Sequence, residues 1–444
     1  MTIKSLQHSS LTDNIFYRSM LAGNAPSGLA AYRFQLIGST QNELAYAIDT
    51  DSDDNVIFSG WSDSVNGEHA YTAKFDSEGA VLWEKLLEGS AVEDAYGQAV
   101  DSNGGIFVVG KSSSLDVPQY RILYYKYNAA GVLQWQKYFN GTSGNPEPTG
   151  AAVDSSDNFY GVGQLAESSK DAFIWKVNNG GTLQWQRYLT ADTDQFQAVA
   201  VDSSDNAIGV GQTNYYNGAQ WSAFIAKYNS AGTLQWQRIL RDSSPTNTIG
   251  HAVTTDSSDN IYIAGEANND GIVAKYNSAG TLQWQRIIGG AGYEQMRGIR
   301  VSAAGDVYAV GRSSTTSPTG SLIVKYNSAG TLQWQRKFSG TSTDIPNYLS
   351  FDSNENLYIT GQSSSGGQGS YDFPVLLVPN DGSLEGTYVI GGDTFVYAAS
   401  SLTSSTSTLL ETTSSLTSVS SSFGQPTPSL TANSVSFTIE TVLL

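Results

Sequence analysis

Enzyme chemistry needs side chains that can hold a proton, a metal or a substrate at neighbouring positions, and this chain offers few of them. It has three histidines, His8, His69 and His251, and no cysteine. The histidines fall at unrelated places, so no pair has metal-ligand spacing and no nucleophile, base and acid form a set. Without thiols there is no disulfide framework and no Cys-ligated metal. The run Asp49-Thr-Asp51-Ser-Asp53-Asp54-Asn55 alternates side-chain oxygens as calcium loops do, but the glycine and closing glutamate of an EF-hand are missing. Its counterparts along the chain are plain Asp-Asn turns, so it reads as a turn. Tyr215, Tyr216 and Trp221 cluster in one of the longest variable loops. Flat rings there can stack on sugar faces, and packing within the loop is the alternative. The expectation is no enzyme, no metal and no cofactor, with a glycan as the candidate ligand.

The scaffold that positions these residues is a repeat. A turn of the type Asp-Ser-Ser-Asp-Asn starts at Asp51, Asp101, Asp154, Asp202, Asp256, Ser302 and Asp352, and a glycine follows each start by nine residues. A second block, Lys-Tyr-Asn-Ser-Ala-Gly-Thr-Leu-Gln-Trp-Gln and variants, keeps nine residues from lysine to tryptophan in six copies, from Lys74 and Trp83 to Lys325 and Trp334. A seventh copy is decayed, with Leu377 and Gly386 in those places. Seven units of about 50 residues follow, each reading as four short strands with two tight turns. In the fourth strand, Leu282 and Trp284 are expected to face inward, and Gln283 and Gln285 outward. Six lysines sit on third strands, and Lys85, Lys137, Arg187, Arg238, Arg286 and Arg336 lie two past tryptophan, so these cations belong to the repeat.

Four-stranded units at this period cover their faces by radial stacking, which predicts an all-β, seven-bladed β-propeller over residues 31–392. A β-solenoid rarely needs two hairpin turns per repeat. Length varies in the loops between second and third strands and in the crossovers between units, which open on one face. Residues 32–38 resemble an extra fourth strand, with Phe34 at the tryptophan place. This strand can close the ring on the seventh unit. The alternative is an eighth blade built with the C-terminal residues.

The ends depart from the repeat. In residues 1–30, Ser10 to Asp13 has capping-box spacing, and Gly23-Asn24 would stop the helix that follows. So short a helix needs a surface, which makes Leu11, Ile15, Phe16, Met20 and Leu21 the candidate docking residues. In the Ser/Thr-rich tail, 393–444, Phe395, Leu402, Leu409, Leu416, Phe423, Leu430, Phe437 and Leu444 stand seven apart. Poor helix formers and Pro426 and Pro428 oppose a coiled coil. The tail is expected to be extended and to pack on a partner or sister chains, or else to be a disordered stalk.

Charge and hydropathy bound the partners. Lys plus Arg number 23 against 41 Asp plus Glu, a net charge of −18, which disfavours nucleic acid and anionic lipid. No stretch is long and apolar enough to span a bilayer, and residues 1–30 lack the apolar core of a signal peptide. The chain is expected to be soluble and not exported by the ordinary signal.

The block Tyr-Asn-Ser-Ala-Gly-Thr-Leu-Gln-Trp-Gln-Arg and the opening from Ser5 to Asn24 (Ser-Leu-Gln-His-Ser-Ser-Leu-Thr-Asp-Asn-Ile-Phe-Tyr-Arg-Ser-Met-Leu-Ala-Gly-Asn) resemble virion structural proteins of tailed phages, particularly those of marine cyanobacteria. The Leu/Ser/Thr tail is similar to tails in that group. The resemblance implies a non-enzymatic protein of the virion, assembled in the host cytoplasm in multiple copies as a tail, fibre, neck or capsid appendage. Its partners would be other virion proteins, through the N-terminal segment and the tail, and host surface glycans. A bacterial cell-surface or secreted carbohydrate-binding propeller is the alternative.

Overall fold

In the computed structural model the regular structure of the described residues is all β, arranged as a seven-bladed propeller. It describes residues 18–20, 33–38, 42–63, 68–115, 119–139, 144–166, 170–190, 193–217, 220–242, 246–315, 317–365, 371–390, 393–407, 409–413, 417–420, 431–434 and 438–443. Blades 1 to 6 span residues 43–88, 93–138, 147–190, 194–241, 248–289 and 294–339, each an antiparallel meander of four strands. The first strand of every blade is innermost, and these seven strands pack side by side around a central channel. Seven apolar clusters fill the seven junctions between blades. The core is thus divided among the junctions, which is why no blade can stand alone.

Closure uses the N-terminal strand. Blade 7 takes three strands from residues 344–378 and its fourth, Arg33–Gly38, from the start of the chain. Among the described residues there is no eighth blade, because the surplus strand is used here. One register detail corrects the sequence reading. Arg33, not Phe34, lies opposite Leu377, as every tryptophan lies opposite its lysine. The seventh unit's own fourth strand, Gly386–Ile390, is displaced to blade 6, where it forms a hairpin with Asp393–Ala399.

The tail is extended, as its composition requires, but it packs on the chain's own blades. Asp393–Ala399, Thr403–Thr406, Leu410–Thr413, Thr417–Ser420, Thr431–Ser434 and Thr438–Leu443 each add an antiparallel strand outside a fourth strand, on blades 6, 5, 4, 3, 1 and 7 in turn. Val396, Thr403, Leu410, Thr417, Thr431 and Thr438 occupy one register, opposite Ser339, Gly289, Arg241, Thr190, Glu88 and Gly38. The seven-residue period is therefore the pitch from blade to blade, roughly 23 Å of extended chain. Twist explains the direction of travel. At about 20–25° per strand pair, the fourth strand is turned far from the channel axis and runs along the perimeter toward the next blade. A strand antiparallel to it must run backward through the blades. Phe395, Leu402 and Leu409 plug successive junctions, and Phe395 stacks on Phe338 at 5.3 Å. The interval from Thr417 to Thr431 is two periods, and residues 421–430 lie outside the described residues.

The belt also corrects the facing of the fourth strand. Gln283 is exposed, but Gln285 is buried and donates from Nε2 to the carbonyls of Ser407 (3.3 Å) and Leu409 (3.0 Å). Trp284 is half-buried. Its ring covers Gly330, which holds the next blade's hairpin turn at φ 74°, and a Cβ there would stand 2.7 Å from Trp284 Cδ2. The indole N–H donates to Ser328 O at 3.0 Å, and the Arg286 guanidinium lies 5.5 Å from the ring centroid. Trp284 is a clamp between blades. Trp284→Ala is expected to cost about 2–3 kcal/mol, less than the 3–5 of a fully buried tryptophan, and less than Trp185→Ala, a residue only 8% exposed. Denaturant melts of the two variants check the order.

Residues 18–20 depart from the expected helix. Arg18–Met20 is a strand, parallel to the end of Thr438–Leu443, because that last belt strand offers an open edge.

Candidate functional site

Each turn aspartate is held from three sides. In blade 3, Asp154 accepts from the backbone N–H groups of Ser156 and Asn158 and pairs with Lys176 at 2.8 Å. The same pair recurs as Lys74–Asp51 (2.7 Å), Lys126–Asp101 (2.5 Å) and Lys227–Asp202 (2.7 Å). Burial pushes the carboxyls of Asp51, Asp154 and Asp202 up, but the lysine and asparagine hydrogen bonds outweigh it and hold them below the usual range. The second acid of the turn reaches the preceding blade. Asp157 takes the N–H and hydroxyl of Ser102, Asp205 those of Ser155 and Asp259 those of Ser203, while Asp54 closes the ring on Ser353 at 2.7 and 2.6 Å. In the calcium-like run, Asp51 and Asp54 are thus engaged as structural acids.

The channel is different. In every blade the innermost strand carries a β-bulge at the residue five before the turn start: Tyr46, Tyr96, Thr149, Gln197, His251, Arg297 and Asn347. A bulge re-aims the extra side chain, and these seven, with Tyr348, line a cavity of about 240 Å³ in the channel. The residue after each bulge is Ala47, Gly97, Gly150, Ala198, Ala252 or Gly298 in blades 1 to 6, small enough for the inner strands to close up. Six residue types in seven blades, at one position of a chain that otherwise repeats, make this ring the candidate site.

Its chemistry is uneven around the circle. Tyr46 and Tyr96 lie 5.1 Å apart by ring centroids, and the Tyr96 hydroxyl donates to Asp94, which also pairs with Lys111. On blades 5 and 6, Arg297 Nε donates to Gln295 Oε1 (2.6 Å) and Nη1 to Asn347 Oδ1 (2.7 Å), while Gln295 Nε2 stands 2.8 Å from His251 Nε2. Burial first, then Arg297 and Arg312, push His251 down to about 3, so the ring is neutral at physiological pH. Burial and Arg312 lower Arg297 as well. An unfolded histidine takes a proton below its ordinary 6.5, whereas the folded one does not, so stability present above that pH is lost as pH falls toward 3. Relative to His251→Gln, the wild-type chain is expected to lose up to about 1.4 kcal/mol per pH unit over that window. Urea melts of both chains at pH 7 and pH 5 measure it.

Of the residues singled out from sequence, Leu11, Ile15, Phe16, Leu21 and His8 lie outside the described residues. Met20 is placed by its backbone, opposite Val442. Tyr215 and Tyr216 lie on Ala207–Asn217 and Trp221 on Gln220–Tyr228, the two arms of one long hairpin. Trp221 is half-buried, and its backbone N–H donates to Asn247 Oδ1 at 3.0 Å. His69 is buried against Glu93 at 3.4 Å, away from the channel ring. Sequence reasoning missed the ring, although aligning the seven first strands exposes the one position where chemistry changes from blade to blade.

No family model matches the chain, and no curated protein does. Among solved structures it is similar to Sqt1 of Chaetomium thermophilum, with a TM-score of 0.48 at 11% identity over 78% of this chain and 97% of that one. It is also similar to a protein of unknown function from Dyadobacter fermentans, with a TM-score of 0.47 at 10% identity over 78% and 98%. A gluconolactonase from Xanthomonas campestris gives 0.36 at 13% identity over 80% and 93%.

Proposed function

We propose that the chain is a non-enzymatic structural protein of a phage particle, tethered through residues 1–30, that turns its variable face toward the host surface. The supporting observation is the asymmetry of the propeller. Fixed hairpins occupy one face, whereas the loops that vary in length open on the other, and the channel carries seven bulged side chains of six types. A rigid ring with local variation is how scaffolds place recognition residues.

Mass spectrometry of purified particles is expected to find the chain, and its recovery from a bacterial surface fraction without particles would favour the carbohydrate-binding alternative. Ile15 and Phe16 replaced together by Asp are expected to strip the protein from particles without shifting its melting temperature. Wild-type copy number in the doubly substituted particles would place the tether elsewhere.

A further inference from the structure

We propose that the channel ring is a binding site for a sugar of monosaccharide size that carries a carboxylate, with His251 and Arg297 taking the carboxylate and Tyr46 and Tyr96 the sugar face. The proposal deepens the host-surface reading by naming a ligand class, but it rests on the channel alone.

The hydrogen bonds fix which donors are available. Because Arg297 Nε donates to Gln295 Oε1, the amide nitrogen of Gln295 must face His251 and donate to its Nε2. A neutral imidazole that accepts at Nε2 carries its proton on Nδ1. Arg297 uses Nε and Nη1 on the neutral oxygens of Gln295 and Asn347, which leaves the Nη2 donors, and no ion pair among the described residues includes it. A planar guanidinium and a neighbouring N–H suit a carboxylate.

Charge points the same way. Arg312, stacked 4.5 Å over Tyr293, has a buried Nε without a hydrogen-bond partner, and its charge acts on both Arg297 and His251. The acid beside them is Glu266, which accepts the Tyr293 hydroxyl and acts on Arg297. On blades 5 and 6 two guanidinium groups thus face one carboxylate, and an incoming anion relieves their repulsion. Asp94, Glu68 and Glu147 act instead on the tyrosine side of the ring, where Asp94 is paired with Lys111. The carboxylate end of the ligand therefore belongs on the His251 and Arg297 side. Size and apolar surface narrow the class further. At about 240 Å³ the cavity falls below the roughly 300–1,000 Å³ of sites for drug-sized ligands, and Tyr46 and Tyr96, tilted 38° to each other with Lys111 5.1 Å from the Tyr96 ring centroid, add apolar ring surface that a bare inorganic anion does not use.

The test is calorimetric titration of the full chain with glucuronate and galacturonate, against glucose, acetate and sulfate. At least one uronate is expected to bind ten-fold or more tightly than glucose and than acetate. Arg297→Gln should weaken that binding at least ten-fold, and Tyr96→Ala should weaken it without changing the affinity for acetate. Melting curves establish that each variant is folded, and Tyr96→Ala decides the matter where Arg297→Gln is not. Uronates binding no better than glucose, or acetate or sulfate binding as tightly as the uronates, would overturn the proposal. Loss of uronate binding in Trp221→Ala but not in Arg297→Gln would move the ligand to the hairpin, overturning the channel site while leaving the host-surface reading intact. Presence on particles is measured separately, so a failure of one is not a failure of the other.

Discussion

Deleting residues 393–444 is expected to lower the thermal midpoint more than any single substitution within a blade. Phe395, Leu402 and Leu409 are each 9% exposed or less, and each seals a junction between two blades. At about 1.5–3 kcal/mol for a fully buried side chain of this kind, the three together contribute about 5–9 kcal/mol. The backbone strands add to this, because the deletion also returns the outer edges of six blades to solvent, including Arg33–Gly38, on which closure depends. Open edges of this kind invite pairing with other chains, so the truncated protein should also self-associate. Differential scanning calorimetry and light scattering check both outcomes. A truncated chain that melts within a degree or two of the full one, as a monomer, would show that the belt is not part of the cooperative fold. Where the truncation does not express, Leu402→Ala with Leu409→Ala reports the same effect, at about 2–5 kcal/mol for each well-buried leucine.

Lys176→Met is the substitution within a blade with the largest expected cost. The Lys176 side chain is 8% exposed and that of Asp154 is 0% exposed, with 2.8 Å between them. Removing one partner leaves a buried charge with no counter-ion, which costs about 3–5 kcal/mol. Asp154 keeps its hydrogen bonds from Asn158, so the loss is electrostatic. Asp154→Asn added to Lys176→Met should therefore recover much of it. In the wild-type chain the carboxyl of Asp154 lies below its ordinary value, so its contribution holds above that value and fades as pH falls through the folded one. In Lys176→Met burial acts unopposed by the lysine and the carboxyl rises, so the deficit should shrink between pH 7 and pH 5. Denaturant midpoints of the single and double variants at both pH values test this, and an equal deficit at both would place the cost in packing.

The order of strands was legible because its determinants are local. The Asp-Asn turn, the Asn-Ser-Ala-Gly turn and the alternation between them act within about 25 residues, and seven copies left one architecture that covers every face. The surplus N-terminal strand was legible by counting. The facing of Gln285 was not, because it is buried by Ser407 and Leu409, more than a hundred residues away. Nor was the register of Arg33, since a one-residue slip preserves the pattern of a short strand and is decided only by its partner. The bulges escaped for a related reason. An extra residue in an apolar strand leaves no mark on composition, so the seven channel side chains look like ordinary members of an alternating run.

The heptad of the tail draws the line between the two kinds of information. The sequence by itself determined that Phe395, Leu402 and Leu409 recur every seven residues and that a Ser/Thr-rich chain would carry them in extended form. It could not determine what the period measures. Seven residues of strand match the distance between neighbouring blades at the perimeter, a length that exists only after the ring has closed. The sense of travel is decided likewise, because the accumulated twist of four strands must first turn each outer edge along the circumference. Local interactions wrote the repeat, and closure of the ring gave the tail its track and brought seven side chains of six types to one channel.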